Sequence, residues 1–197
     1  AKHCVCTSSG TAAIHTALGA VGVTAGDEVI TAPITDMGSV IGILYQNAIP
    51  IFADVEPHTY NMSAKSIEEK ITDKTKAILV VHLAGNPADM DAIMEIAHRH
   101  NIYVVEDCAQ SYLCHYKGRL AGTMGDIGCF SLNDFKHISA GDGGMCITND
   151  ENLFHKAFRF ADKNYDRLGK SLRSVESLAP NYRINELTAA VGLAQLD

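Results

Sequence analysis

The sequence predicts an α/β domain in which helices cover both faces of a mostly parallel sheet. Short runs of β-type residues alternate with helical patterns along the chain, and this alternation is typical of strand–helix–strand units. Central runs such as residues 78–81 are apolar at every position, as expected of strands buried between two layers of helices. Ligands bind beyond the carboxyl ends of the strands in such sheets, so the site is expected at that edge.

Strands are expected at short apolar runs bounded by polar or turn-forming residues. In chain order, these runs are residues 3–7, 29–32, 49–53, 77–82, 102–106, 127–131 and 144–148. The clearest helix covers residues 89–100, where apolar residues follow Met90 at i+3, i+4 and i+7 and form one stripe. Ser63 is the predicted N-cap of an earlier helix. The polar stretch 162–177 is expected to be a surface or interface loop.

Composition and length indicate one ordinary globular domain without a nucleic-acid surface. The 197 residues are 47% hydrophobic and 20% charged, which is usual for a domain with a sizeable core. A formal net charge of -7 argues against nucleic-acid binding, which needs clustered lysine and arginine. The sequence shows neither a signal peptide nor an apolar run of membrane-spanning length, so a cytoplasmic location is expected.

The cysteines and the two ends of the chain each lead to one expectation. The six cysteines, at positions 4, 6, 108, 114, 129 and 146, form no CxxC pair, so we expect buried free thiols and no metal site. The chain begins at Ala1 and closes in a helical pattern without a stop signal. We therefore expect it to be part of a longer protein.

The first candidate site follows the first predicted strand. Gly10 and Thr11 stand there at the start of a helical pattern, next to the hydroxyls of Ser8 and Ser9. Backbone N–H groups at a helix start form an anion site that suits a phosphate. Taken alone, the same pattern is also typical of simple helix capping.

The second candidate site ends the strand predicted at 102–106. Glu106, Asp107 and Gln110 follow its apolar residues, and a carboxylate at a strand end can reach a ligand. Against a ring nitrogen, such a carboxylate would keep the nitrogen protonated through a charge-assisted hydrogen bond. A helix or turn cap is the simpler alternative for these residues.

The third candidate is Lys136, which lies between the strand ending at Ser131 and the glycine-rich turn 141–144. Phe135 and Ile138 flank this lysine and would hold it partly desolvated, which favours the neutral amine that a Schiff base needs. A solvated loop lysine beside a tight glycine turn is the alternative. Together, a phosphate cradle, a ring-nitrogen acid and a Schiff-base lysine in this chain order match the three groups that hold pyridoxal 5'-phosphate (PLP).

The chain resembles the DegT/StrS-type sugar aminotransferases, PLP enzymes of the aspartate aminotransferase fold type I, over nearly its whole length. The motifs that carry the resemblance are Ser9-Gly10-Thr11-Ala12-Ala13, Gly26-Asp27-Glu28-Val29-Ile30, Pro50-Ile51-Phe52-Ala53-Asp54-Val55, residues 81–90, Glu106-Asp107-Cys108-Ala109-Gln110, the block around Lys136 and residues 181–187. Such a resemblance implies that residues 1–197 form an incomplete PLP-binding large domain, without the N-terminal segment and the small C-terminal domain of the family.

The resemblance also implies roles for the matching residues. Lys136 would hold the cofactor as a Schiff base, Asp107 would pair with its pyridine nitrogen, and Gln110 would lie near its phenolic oxygen. The phosphate would be held by residues that the motifs place around it, namely Gly10, Thr11 and Ser131, with Asn181 reaching the phosphate of the neighbouring subunit in a homodimer.

One position departs from the family pattern. The family usually places an aromatic residue, which stacks on the cofactor ring, just after the threonine of the second strand-end motif. Here Thr35 is followed by Asp36 and Met37, so the ring face is covered in some other way.

The implied activity is transfer of an amino group from glutamate or glutamine to a keto-sugar, often nucleotide-linked, or to a keto-cyclitol. A PLP-dependent sugar dehydratase of the same fold is one alternative, although its best-known sign is a histidine where Lys136 stands, and His137 is adjacent. A non-catalytic or regulatory PLP-fold module is another, but it would not need Asp107, Gln110 and Lys136 together. A nucleotide-binding module is less favoured, because the sequence contains neither GxGxxG nor a P-loop.

Overall fold

A computed structural model describes residues 1–169 and 178–196, which form a seven-stranded sheet with helices on both faces. The strands are β1 (His3–Thr7), β2 (Glu28–Thr31), β3 (Ile49–Phe52), β4 (Thr75–Val81), β5 (Tyr103–Asp107), β8 (Ile127–Ser131) and β9 (Gly144–Thr148), with a separate hairpin of β6 (His115–Tyr116) and β7 (Arg119–Leu120). The helices are α1 (Gly10–Ala20), α2 (Met37–Tyr45), α3 (Ala64–Lys70), α4 (Met90–His100), α5 (Glu151–Ala161) and α6 (Glu186–Leu193).

The strand order in the sheet is β1-β9-β8-β5-β4-β2-β3. The five strands from β8 to β3 are parallel neighbours, and β9 is antiparallel to both β8 and β1. Every strand of this sheet except β9 therefore runs in the same direction, which confirms the predicted mostly parallel sheet. The carboxyl ends of β1, β2, β4, β5 and β8 consequently meet at one edge.

The sheet separates two apolar cores, because successive strand residues point to opposite faces. On one face, Val29, Leu79 and Val105 belong to the core that contains the buried residues of α1 and α5. On the other face, Ile78 and Val104 belong to the core that contains the buried residues of α3 and α4. Helices on both faces, and central strands without a polar face, are what the apolar runs predicted.

The predicted elements agree with the structure to within two residues at most boundaries. Three strands have the predicted limits, and the helix predicted at 89–100 begins at Met90 with Asp89 as its N-cap. Ser63 precedes α3 as predicted, although its side chain makes no capping hydrogen bond. The hairpin β6–β7 was not predicted, because two residues a strand are too few to show an apolar alternation.

The segment 178–185 returns to the start of the sheet. The backbone N–H of Ser8 donates to the carbonyl of Tyr182, and Thr7 forms an isolated bridge with Arg183.

Buried Asp162 accepts hydrogen bonds from Lys163, Arg167 and Arg183. The polar stretch predicted as a surface or interface loop therefore includes a buried carboxylate, and its residues 170–177 lie outside the described part of the chain.

The cysteines are free thiols, as predicted, but only half of them are buried. Cys108, Cys129 and Cys146 lie in the interior, whereas Cys4 and Cys6 are exposed. The expectation of buried thiols is wrong for these two, because β1 is an edge strand and residues 4 and 6 share the face that α1 and α5 do not cover. Among the described residues, no helix has the length and apolar character needed to cross a membrane.

Candidate active site

A cavity of about 430 Å³ opens at the shared carboxyl edge of the sheet. Its walls come from the segments that follow β1, β2, β4 and β5, from the end of β8 and from the loop that connects β8 to β9. Six of the seven site residues predicted from the sequence line it: Gly10, Thr11, Asp107, Gln110, Ser131 and Lys136. The cavity therefore lies where a ligand site was expected, beyond the carboxyl ends of the strands.

One end of the cavity is built to receive an anion. Helix α1 begins at Gly10, and its N-cap Ser9 accepts from the N–H of Ala12 through its side chain and from Ala13 through its carbonyl. The N–H groups of Gly10 and Thr11 have no acceptor among the described residues. They point out of a helix N-terminus, where the positive end of the helix dipole also favours negative charge.

Ser131 completes this end because the backbone at Gly10 approaches it closely. A Cβ atom built on Gly10 would lie 2.7 Å from Ser131 Cβ and 3.0 Å from its Oγ, so only glycine fits between the two chains. Ser131 Oγ accepts from the N–H of Asn133 at 3.3 Å. Its own hydroxyl proton is therefore available to an anion in the cavity.

Asp107 is a buried carboxylate with only 5% of its surface exposed. Its Oδ1 accepts from the N–H of Ala109 at 3.0 Å, and its Oδ2 accepts from Ser39 Oγ at 2.7 Å. Burial raises the pKa of Asp107, while the hydrogen bonds from Ala109 and Ser39 and the charge of Lys136 act against that rise. A carboxylate of this kind favours a cationic partner in the cavity.

Gln110 is oriented by the turn that follows β4. Its Oε1 accepts from the N–H of Ala84 at 3.0 Å, with the amide orientation assigned from this hydrogen bond. Ala84 lies in this turn and has a left-handed backbone with φ of 51°. The amide nitrogen of Gln110 is thus the group left to donate toward a ligand oxygen.

Lys136 lines the cavity from the loop between β8 and β9 and is half-buried. Phe135, which was expected to shield it from water, is 90% exposed and therefore does not. The part of the expectation assigned to Phe135 is therefore wrong, because its side chain lies in solvent while the Lys136 side chain lies against the cavity. His137 is also exposed and does not line the cavity.

Asn181 is the one predicted site residue that does not line the cavity. It is exposed and forms an isolated bridge with Asp162, the carboxylate that also pairs with Arg183. Asn181 thus lies at the surface and is not part of the cavity wall.

The hydroxyls of Thr35 and Ser39 also belong to the site, although no motif predicted them. Ser39 is 2% exposed and lies in the first turn of α2, 68 residues from the Asp107 carboxylate to which it donates. Thr35 Oγ1 lies 2.7 Å from Ser39 Oγ. No sequence pattern signals this contact, because it depends on the placement of α2 over the end of β5.

A second buried carboxylate, Glu106, supports the wall of the site. Within the described part of the chain, it accepts hydrogen bonds from His82 Nε2 at 2.9 Å and from the backbone N–H groups of Gly122, Met124 and Gly125. His82 Nδ1 accepts from the N–H of Ala88, so His82 is the neutral tautomer that carries its proton on Nε2. Burial disfavours charge on Glu106, but the hydrogen bonds from His82 and the backbone hold its pKa below the usual value.

The position that is aromatic in the family is occupied here by a carboxylate. Asp36 lines the cavity and caps α2, since its Oδ1 accepts from the N–H of Gly38 at 2.8 Å. Met37, the other residue at this position, is 58% exposed and lies outside the cavity wall. The non-aromatic residue that the sequence has at this position, Asp36, is therefore part of the cavity wall.

These groups combine an anion cradle, a buried carboxylate and a primary amine in one cavity. The whole chain, residues 1–197, matches the family model described as the DegT/DnrJ/EryC1/StrS aminotransferase family. The chain belongs to this family. The match confirms the resemblance that the sequence motifs indicated.

Relatives of this DegT-family chain act on sugars and cyclitols, according to their names. It is 45% identical over 190 residues to a GDP-perosamine synthase of Escherichia coli O157:H7, covering 96% of the chain and 52% of that protein. It is 40% identical over 202 residues to a putative L-glutamine:3-amino-2,3-dideoxy-scyllo-inosose aminotransferase of Micromonospora echinospora, covering 100% of the chain and 47% of that protein. The chain spans about half the length of these relatives.

The fold is also that of solved family structures. NtdA from Bacillus subtilis, solved with bound cofactor PMP, superposes with a TM-score of 0.90 at 34% identity, covering 98% of the chain and 43% of NtdA. This likeness confirms the predicted fold class, an α/β fold with a mostly parallel sheet and helices on both faces.

Proposed function

We propose that the protein is a PLP-dependent aminotransferase that moves an amino group from an amino acid donor to a keto-sugar or keto-cyclitol. The observation that carries the proposal is that Lys136, Asp107 and the free N–H groups of Gly10 and Thr11 face one cavity. Membership of the DegT family indicates PLP as the cofactor, and PMP, bound in NtdA, is the amino form of PLP.

The residues of the cavity fit this cofactor. The N–H groups of Gly10 and Thr11 and the hydroxyl of Ser131 are unused donors that would hold a phosphate. Among the described residues, the donors to buried Asp107 are a serine hydroxyl and a backbone N–H, and neither carries charge. A protonated ring nitrogen would therefore supply the cationic partner that a buried carboxylate favours. Gln110 retains an amide donor for the phenolic oxygen of the ring.

The chain would contribute binding, orientation and one proton-transfer group. When bound, PLP supplies an aldehyde that carries the amino group and a ring that accepts electrons. Lys136 Nζ would hold the cofactor covalently and, once displaced by the donor, would carry a proton between the donor α-carbon and the cofactor. Asp107 would keep the ring nitrogen protonated through a charge-assisted hydrogen bond.

The names of the relatives support the choice of substrates. One relative is named for a GDP-linked amino sugar and another for a glutamine-dependent aminocyclitol. We therefore propose glutamate or glutamine as the donor and a keto-sugar, often nucleotide-linked, or a keto-cyclitol as the acceptor. The dehydratase alternative is not favoured, because Lys136 is present on the cavity and His137 is not, and a non-catalytic module would not need the same set of residues.

A test of the activity uses the full-length protein loaded with PLP. Adding glutamate or glutamine alone is expected to convert the cofactor to its amino form, with loss of its long-wavelength absorbance and release of the 2-keto acid. A keto-sugar or keto-cyclitol should then restore the original absorbance and appear as the amine. If donor and acceptor both leave the cofactor spectrum unchanged, the proposed function is wrong.

We further propose that the chain is the large domain of a homodimeric cytoplasmic enzyme whose small domain lies in the remaining half of the relatives' length. Coverage of about half of each relative supports the domain assignment, and free cysteines are in keeping with a reducing compartment. The exposed position of Asn181, off its own cavity, supports a site shared across a two-fold axis.

A mixed dimer tests whether Asn181 serves the neighbouring subunit. One subunit would carry Lys136→Ala and the other Asn181→Ala, with different affinity tags so that only the heterodimer is purified. If Asn181 reaches across the interface, one of the two sites contains both native residues, and the heterodimer should show about half the activity of the unsubstituted dimer. A heterodimer no more active than the Asn181→Ala homodimer would place Asn181 at its own site, and a monomer in sedimentation would contradict the sharing altogether.

A further inference from the structure

The Asp107 carboxylate is held by a hydroxyl that belongs to a different part of the chain. Ser39 Oγ lies 2.7 Å from Asp107 Oδ2, and Thr35 Oγ1 lies 2.7 Å from Ser39 Oγ. Ser39 and Asp107 are both buried, and Thr35 is half-buried at the cavity wall. These three residues form a hydrogen-bonded row that leads from the cavity to the carboxylate.

The direction of the hydrogen bonds in this row follows from the donor inventory of each group. An ionised carboxylate only accepts, so the single proton of the Ser39 hydroxyl is directed at Asp107. Ser39 Oγ must then accept from Thr35, whose hydroxyl is the donor of that pair. The hydrogen bond from Thr35 polarises the Ser39 hydroxyl, which strengthens the hydrogen bond that Ser39 donates to the Asp107 carboxylate.

Several other ionisable groups surround Asp107, and they differ in their effect on its charge. Lys136 across the cavity favours its charge, whereas the neutral His82 after β4 and the buried Cys108 and Cys129 thiols lie close by and supply no positive charge. The N–H of Ala109 donates to the opposite oxygen, Oδ1. Ser39 is therefore the one side-chain hydrogen-bond donor to this carboxylate among the described residues.

We propose that Ser39, oriented by Thr35, is a positioning residue that fixes the Asp107 carboxylate and keeps it ionised for the cofactor's ring nitrogen. This inference depends on the proposed function for its purpose, but the hydroxyl row itself does not. Burial raises the pKa of Asp107, and Ser39 is among the groups that oppose the rise. Without Ser39, the carboxyl group should be protonated at a higher pH and should pair less well with a cationic ring.

The test measures Asp107 directly in the full-length protein with the cofactor removed. Isotope-labelled aspartate would be followed by NMR as a function of pH, with Asp107→Asn used to identify the signal. We expect Ser39→Ala to raise the pKa of Asp107 by about one unit, because a hydrogen bond to a charged group is lost. Thr35→Val should shift it in the same direction by less, because Thr35 acts only through Ser39.

A second measurement links this shift to the cofactor. PLP affinity should fall with decreasing pH as Asp107 is protonated, and in Ser39→Ala the fall should begin about one pH unit higher. The matched control is Ser66→Ala, which removes another buried serine hydroxyl, bonded to the N–H of Asp54 on the far side of the sheet. It should leave both pH dependences in place.

Each outcome decides the inference. An Asp107 pKa that Ser39→Ala leaves unchanged, or that Ser66→Ala moves equally, overturns the role of Ser39. No effect of Thr35→Val on the pKa overturns the part assigned to Thr35. If the pKa shifts as expected but PLP affinity does not follow the ionisation of Asp107, the hydroxyl row stands and the proposed function of Asp107 fails.

Discussion

Replacing Lys136 with alanine is expected to abolish amino transfer and the covalent attachment of PLP. Lys136 is the only lysine among the described residues that lines the cavity, and it would serve both as the attachment point and as the proton carrier. Loss of the proton carrier alone should lower the rate by about a hundredfold to ten-thousandfold. The N–H groups of Gly10 and Thr11 are untouched, so weak non-covalent binding of PLP should remain.

Borohydride reduction followed by peptide mapping is the direct measurement. Reduction fixes the cofactor to whichever lysine holds it, and the label should fall on the peptide that contains Lys136. Lys117→Ala is the matched control, because Lys117 is an exposed lysine on the turn between β6 and β7 that pairs with Asp91 of α4. It should keep both the label and the activity, and a label on Lys117 or Lys163 would refute the assignment.

Asp107→Asn is expected to keep the fold and lose most of the catalysis. The asparagine oxygen can still accept from the N–H of Ala109, and its amide can donate to Ser39 Oγ, so the buried hydrogen bonds can be retained. The ring nitrogen, however, loses its counter-charge. Breaking a buried charge pair costs about 3–5 kcal/mol, which corresponds to a rate lower by roughly two to four orders of magnitude.

The result is read from the rate together with the thermal midpoint of unfolding. Asp126→Asn serves as the control, because Asp126 is another carboxylate whose Oδ2 accepts from a backbone N–H, that of Val104, but it does not line the cavity. We expect Asp126→Asn to affect stability more than rate, and Asp107→Asn to do the reverse. If both variants had equal and small effects on activity, Asp107 would be a turn cap and not a catalytic residue.

The sequence by itself determined the fold class and the principal chemical groups of the site. Alternation of strands and helices, and runs that are apolar on both faces, are local patterns, so they predicted the strands of the main sheet to within two residues but not the short hairpin β6–β7. Asp107 ends β5, and Gly10 and Lys136 lie within about five residues of the ends of β1 and β8. Parallel strands bring these carboxyl ends to one edge. Their shared cavity therefore followed from position in the chain.

Only the tertiary structure decided which residues support those groups. Ser39 contacts Asp107 across 68 residues of sequence, and His82 contacts Glu106 across 24. Such contacts depend on strand order and helix placement, which no local pattern records. The same limit explains the error at Phe135, since the direction of a side chain in an irregular loop is set by the packing around it. Ser131 could be predicted as a phosphate ligand from its motif, but its close approach to Gly10 exists only because β8, β9 and β1 lie side by side in the folded sheet.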